Sequence, residues 1–169
     1  IPDFTGVLEA FQTLRAVLFA TMMEPIMQQH RDKIAPEIIG NIERGLNITP
    51  PQIFEAERIR IELFKKILDF FETHDFLICP AASIAPFPVD QRYVTEIDGK
   101  PCETYIDWFS ITFALTMTAC PTISVPCGFT SEGLPVGIQI MGKPRGEAAL
   151  LLVAKRFEQA IGISAKLPI

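Results

Sequence analysis

The chain has 169 residues, enough for one domain with a sizeable core; 49% of them are apolar and the mean hydropathy is +0.28, which excludes disorder. Charges and prolines interrupt every apolar run short of the ~20 residues that a membrane span needs. A net charge of −5 and a pI of about 5.1 exclude electrostatic attraction to nucleic acid or to an acidic membrane surface.

From Phe4 to Thr21, Val7, Leu8, Phe11, Leu14, Leu18 and Phe19 recur at helical spacing, with Asp3 or Thr5 placed to cap the start. Glu24-Pro25 is expected to interrupt this helix, because the residue before proline avoids the α region. A second helical stretch follows with Met27, Ile34, Ile38, Ile39 and Ile42, kinked or divided at Pro36 and ended at Gly45. Met22, Met23 and Met27 suit a greasy pocket or core gaps, the second being the commoner use. Thr49, Pro50 and Gln52 form a complete start signal: N-cap, first-turn proline and capping-box glutamine. The helix they open is expected to run to about Thr73, roughly 35 Å at ~1.5 Å per residue. Ile53, Ala56, Phe64, Ile67, Leu68 and Phe71 supply its buried side, and Glu55–Arg58, Glu57–Arg60 and Glu62–Lys65 or Lys66 pair on a solvated face.

After His74-Asp75, the run Phe76–Pro80 reads as a buried strand stopped by its proline. The segment Ala81–Pro88 follows as a stiff irregular loop, with prolines at 80, 86 and 88. Arg92–Ile97, the Asp98-Gly99 turn and Lys100–Cys102 predict a short hairpin. From Glu103 or Thr104 to Ala119 the sequence predicts a helix apolar nearly all round, of the kind found inside larger proteins. Asp107 stands out in it. An ionised carboxylate there needs a polar opening or a partner, and a cap at the first turn is the commoner explanation. Thr122–Phe129 and Val136–Met141 predict a second hairpin. Its turn is Thr130–Gly133, Pro126 implies a bulge, and Gly128, Gly137 and Gly142 leave room for close approach. A last helix covers Gly146–Ala160, with Gly162 as its C-terminal stop. The fold class expected is α+β: long helices packed on a small mixed sheet, residues 1–169 forming a single domain.

The four cysteines, Cys79, Cys102, Cys120 and Cys127, form no Cys-x-x-Cys pair and share the chain with two histidines. They read as free thiols of a reducing, cytoplasmic compartment; no metal site and no cofactor is expected. The chain opens at Ile1 without a methionine or a signal-peptide pattern, as a processed piece would.

Ile-Ser-Val-Pro-Cys-Gly, a short turn, Gly-Leu-Pro-Val-Gly-Ile-Gln-Ile-Met-Gly-Lys-Pro and an amphipathic helix resemble the C-terminal portion of the amidase-signature family. So does the earlier order of long helix, Asp75, apolar strand and Pro80. The resemblance spans about Ile38 to Ile161. It implies a C-terminal piece of a larger α/β/α fold, and the cleavage of carboxylic amides by a Ser–cis-Ser–Lys triad. That triad's Gly-Gly-Ser-Ser-Gly-Gly segment and its lysine are absent from this chain, so no catalytic residue is assigned and the chain alone is expected to be inactive. The missing N-terminal part of the enzyme is the partner implied, with a small-molecule amide as substrate and a homo-oligomer as a further possibility. The resemblance also implies substrate-binding roles for Asp107 and Trp108: Asp107 to meet an amino group, Trp108 to wall the pocket. At Thr116–Pro121 many relatives have Asn-Leu-Ala-Gly before one residue and a proline, which leaves hydrolase versus amidotransferase open. Two other readings stand beside this one. One is a non-catalytic interaction module; the other is a Cys–His hydrolase using Cys79 or Cys127 with His74 or His30.

Overall fold

The computed structural model describes residues 1–162, and within them the chain divides into two compact units, 1–66 and 67 onward. In the first unit α1 (Val7–His30) packs against α2 (Pro36–Leu46), and α3 (Pro50–Thr73) starts there. α1 does not break at Pro25. A proline inside a helix costs about 3 kcal/mol, but Ala10, Ala16 and Met27 are buried on both sides of it, and that burial outweighs the lost bond. Pro36 instead divides the chain. It occupies the first turn of α2, where its missing N–H is an orphan in any case, after a 3-10 turn at Arg31–Lys33.

Polar ties reinforce the α1–α2 contact. Arg15 donates to the buried Asn41 Oδ1 at 2.8 Å, and Asn41 in turn donates to the Glu37 carbonyl. Arg44 meets Glu9 and Arg31 meets Glu43 at the exposed edges. At α3 the Gln52 side chain reaches back to the Thr49 N–H at 2.8 Å, as the capping box requires. The three expected i,i+3 pairs form, while Lys66 turns to Asp3 at 2.7 Å. The buried stripe of α3 is Ala56, Leu63, Ile67 and Phe71; Leu68, expected inside, is 39% exposed.

The second unit holds a three-stranded sheet in the order β1-β5-β4, with β1 Phe76–Pro80, β4 Thr122–Phe129 and β5 Pro135–Gly142. Both pairings are antiparallel, so the described sheet is not the mixed one expected; the α+β class stands. The register shifts between Pro126 and Gly128, at the bulge that Pro126 implied. A small hairpin, β2 (Glu96–Ile97) and β3 (Lys100–Pro101), turns on Asp98 and Gly99, both at positive φ. α5 (Glu147–Ile161) covers one sheet face: Val125, Ile140, Leu150 and Ala154 form a core flanked by Phe76, Ile123, Ile138 and Phe157.

The expected helix from 103 to 119 is shorter and broken. It comprises a 3-10 turn at Asp107–Phe109 and α4 (Ser110–Thr116). Phe109 leaves helical geometry at ψ 26° between them, and the chain turns off at Ala119 with φ 55°.

Candidate functional site

Pro80 ends β1, and Ala81 after it keeps the β1–β5 register, lying opposite Gly137. Both backbone groups of Ala81 are held. Its N–H donates to the Gly137 carbonyl at 2.9 Å, and its own carbonyl accepts from Thr112 Oγ1 at 3.1 Å. Gly137 permits this approach, since a Cβ there would lie 3.1 Å from the Val125 carbonyl oxygen and 3.4 Å from the Ala81 Cβ. Buried Gln139 donates to the Pro80 carbonyl at 3.1 Å and steadies the end of the strand.

Beside it lies an open cavity of about 630 Å³ between residues 80–87, Trp108, Cys127 and 135–138. Phe87 stands edge-on to Trp108, ring centres 5.4 Å apart at 89°. The Trp108 indole N–H is donated to the Tyr105 carbonyl at 3.0 Å, so the cavity meets an apolar ring. Among the described residues no Asp, Glu, Lys, Arg or His lines this cavity. A second, hydroxyl-rich cavity of about 470 Å³, lined by Thr112, Thr116, Thr122, Ser124 and Gln139 among others, also carries no charged side chain among the described residues.

The two sequence-predicted site residues part company here. Trp108 lines the cavity. Asp107 turns to the start of its own helical turn, where Oδ2 accepts from the Thr104 N–H at 2.8 Å and Oδ1 from the Thr104 hydroxyl at 2.5 Å. Its charge, after burial, helps push the Cys102 thiol up.

The Cys–His constellation finds little support in the geometry. His74 Nδ1 lies 2.9 Å from Thr73 Oγ1 and 3.1 Å from the Phe70 carbonyl, and the ring stacks on Phe70 at 4.1 Å. Burial pushes the Cys79 thiol up, away from the thiolate a nucleophile needs. Cys127 lines the cavity with no base beside it on the lining. All four cysteines are free, and no group of three metal-ligating side chains occurs among the described residues.

Gly137 gives the close approach expected of it, whereas Phe87 and Thr112 were not singled out as parts of the site. The three prolines flagged a rigid loop, but nothing local joins Ala81 to residues 31 and 56 positions further on.

Residues 6–151 match the family model described as Amidase. The chain belongs to the Amidase family. Among curated relatives it is 26% identical over 166 residues to a glutamyl-tRNA(Gln) amidotransferase subunit of Alkaliphilus metalliredigens, covering 91% of this chain and 31% of that protein. It is 29% identical over 132 residues to the acylamidase of Rhodococcus erythropolis, covering 78% and 28%. The fold matches a bacterial aryl acylamidase of the amidase-signature enzymes with a TM-score of 0.81 at 22% identity, over 99% of this chain and 37% of that one.

The chain thus spans about a third or less of these amidase relatives. The resemblance motifs begin near Ile38, whereas the family match opens at residue 6 and takes in the whole of α1. The expected placement at the family's C-terminal portion is therefore not retained. No helix among the described residues is long and apolar enough to cross a membrane.

Proposed function

We propose that this chain is the substrate-wall portion of an amidase-signature enzyme that hydrolyses or transfers carboxylic amides at the C–N bond. The nucleophile and its Lys–Ser relay lie on sequence outside these 169 residues. One observation carries this reading: the cavity has shape, apolar walls and a rigid frame, but among the described residues no Asp, Glu, Lys, Arg or His lines it to move a proton. The missing Gly-Gly-Ser-Ser-Gly-Gly segment supports it, as do relatives named for acyl-amide cleavage and amide transfer. Trp108 contacts substrate. Asp107 is a positioning residue that holds the turn from Thr104 and so presents the indole. The four free thiols fit a cytoplasmic setting.

The partner this reading requires is the enzyme's remaining sequence. Leu18, Met22 and Ile26 form an i, i+4, i+8 apolar stripe on α1, between 45% and 62% exposed, for that sequence to cover. The isolated chain hides the same stripe by self-association. Sedimentation as a compact monomer that binds no hydrophobic dye would count against this.

The test joins the 169 residues to the coding sequence that flanks them in the genome. The joined protein should release amine from an aryl amide, and the 169 residues alone should not. Turnover by the chain alone, abolished by Cys79→Ala, would overturn the reading in favour of the cysteine hydrolase.

A further inference from the structure

The cavity's walls say more than that something binds there. Ile84, Phe87, Trp108, Val136 and Ile138 present alkyl and aryl surface, and among the described residues the only other polar side-chain heads on the lining are the Ser83 hydroxyl and the Cys127 thiol. The indole N–H is already bonded to the Tyr105 carbonyl and is not offered to a ligand. A charged group in this space gives up part of its hydration and meets no counter-charge among the described residues, whereas an apolar group gains the burial. The Phe87–Trp108 edge-to-face pair leaves ring surface on which a further aromatic ring can pack.

We propose that this cavity takes the uncharged, apolar part of an amide, an aryl or branched alkyl group, and discriminates against amides that carry an ammonium or carboxylate there. The inference rests on the cavity being the substrate cavity of the proposed amidase. It runs against the cation-binding role that the family resemblance implies for Asp107, whose two oxygens both accept from Thr104.

Trp108 is the chain's single tryptophan, so its fluorescence reads the cavity directly. The probes are acetanilide and its 4-aminomethyl and 4-carboxy analogues, titrated into the 169-residue chain, with labelling of Cys127 by a maleimide as a second readout. Acetanilide should perturb the emission saturably and slow the labelling of Cys127, and both charged analogues should bind about tenfold more weakly or worse. Phe87→Glu places a carboxylate on a half-exposed loop position and should reverse the order, so that the 4-aminomethyl analogue binds better than acetanilide. Equal or tighter binding of either charged analogue to the unaltered chain overturns the inference, as does the absence of acetanilide binding.

Turnover by the longer enzyme is read separately. Hydrolysis of the cationic amide as efficiently as acetanilide overturns the apolar preference and keeps the amidase. Saturable acetanilide binding by a chain whose flanking sequence encodes no nucleophile segment supports the preference and removes the amidase.

Discussion

Replacing Gly45 by alanine sets two effects of opposite sign against each other. In a helix interior alanine is favoured over glycine by about 1 kcal/mol, so propensity alone predicts stabilisation. The packing predicts the reverse. A Cβ on Gly45 would lie 2.0 Å from the Ala16 carbonyl oxygen, 2.7 Å from the Ala16 carbonyl carbon and 2.7 Å from the Ala20 Cβ. Comfortable contacts between carbon atoms are about 3.5 Å or longer, so the mismatch is of order 1 Å against backbone. No rotamer relieves it. α1 and α2 must move apart, and Ala16 and Ile42, both at 0% exposure, give up contacts as they do.

Overpacking of this kind costs about 3 kcal/mol or more, which leaves a net loss near 2 kcal/mol after the propensity gain. For a chain of this size that is a fall in Tm of about 4–8 °C. Gly40, in the same helix, is the control. A Cβ there meets nothing within 4 Å, so Gly40→Ala should raise stability by about 0.5–1 kcal/mol. Urea titrations followed by circular dichroism, with thermal melts, measure both variants. A Gly45→Ala protein as stable as its parent, or two variants shifting in the same direction, would refute the close helix crossing.

Three further outcomes follow from single residues. Ala119 holds φ 55°, a left-handed conformation that favours glycine; Ala119→Gly should therefore stabilise by about 0.5–1 kcal/mol in the same titrations, and destabilisation would mean the backbone there is not strained. Lys66, then the hydroxyl and N–H of Thr5, hold the Asp3 carboxyl well below the usual carboxylate range, so its contribution to stability is present at neutral pH and lost as pH falls through that lowered value; an NMR titration should show Asp3 moving back up in Lys66→Met. Burial pushes the Cys79 and Cys120 thiols up, so both should label more slowly than free cysteine at pH 8. The same shift lowers stability as pH rises above the ordinary thiol range, because the unfolded chain loses those protons first; mass-resolved labelling in which either thiol reacts as fast as free cysteine would contradict this.

The elements that were legible in the sequence are those fixed by chemistry a few residues wide. Thr49-Pro50-x-Gln52 starts α3 where expected, Asp98-Gly99 closes the short hairpin, and β1 and β4 have the expected bounds. What was misread depends on distant partners. α1 passes Pro25 because of what Ala16 and Met27 bury, which no local rule contains. The apolar run after Thr104 looked like one long helix, but its Asp107–Thr104 bonds tighten the start into a 3-10 turn and Ala119 turns the chain off early. Strand direction was equally out of reach: β1 and β5 lie some 60 residues apart in sequence, and hydropathy does not record which way they run.

The same distinction explains why the most recognisable stretch of the chain carries no proton chemistry. Four successive residues of β5 do four different things. Gly137 lets the 81–87 loop close in and gives its carbonyl to Ala81; Ile138 is shared between the cavity wall and the core. Gln139, on the opposite face, secures the end of β1 through the Pro80 carbonyl, and Ile140 is sealed beneath α5. Each position needs its own residue type at its own register, Gly137 for its lack of a side chain, which is why the motif is specific although none of the four ionises. Changes within it act first on where the loop sits. On the proposed function they should raise KM or lower Tm of the longer enzyme while leaving the pH dependence of kcat in place, because that proposal puts the groups that titrate during turnover outside these 169 residues.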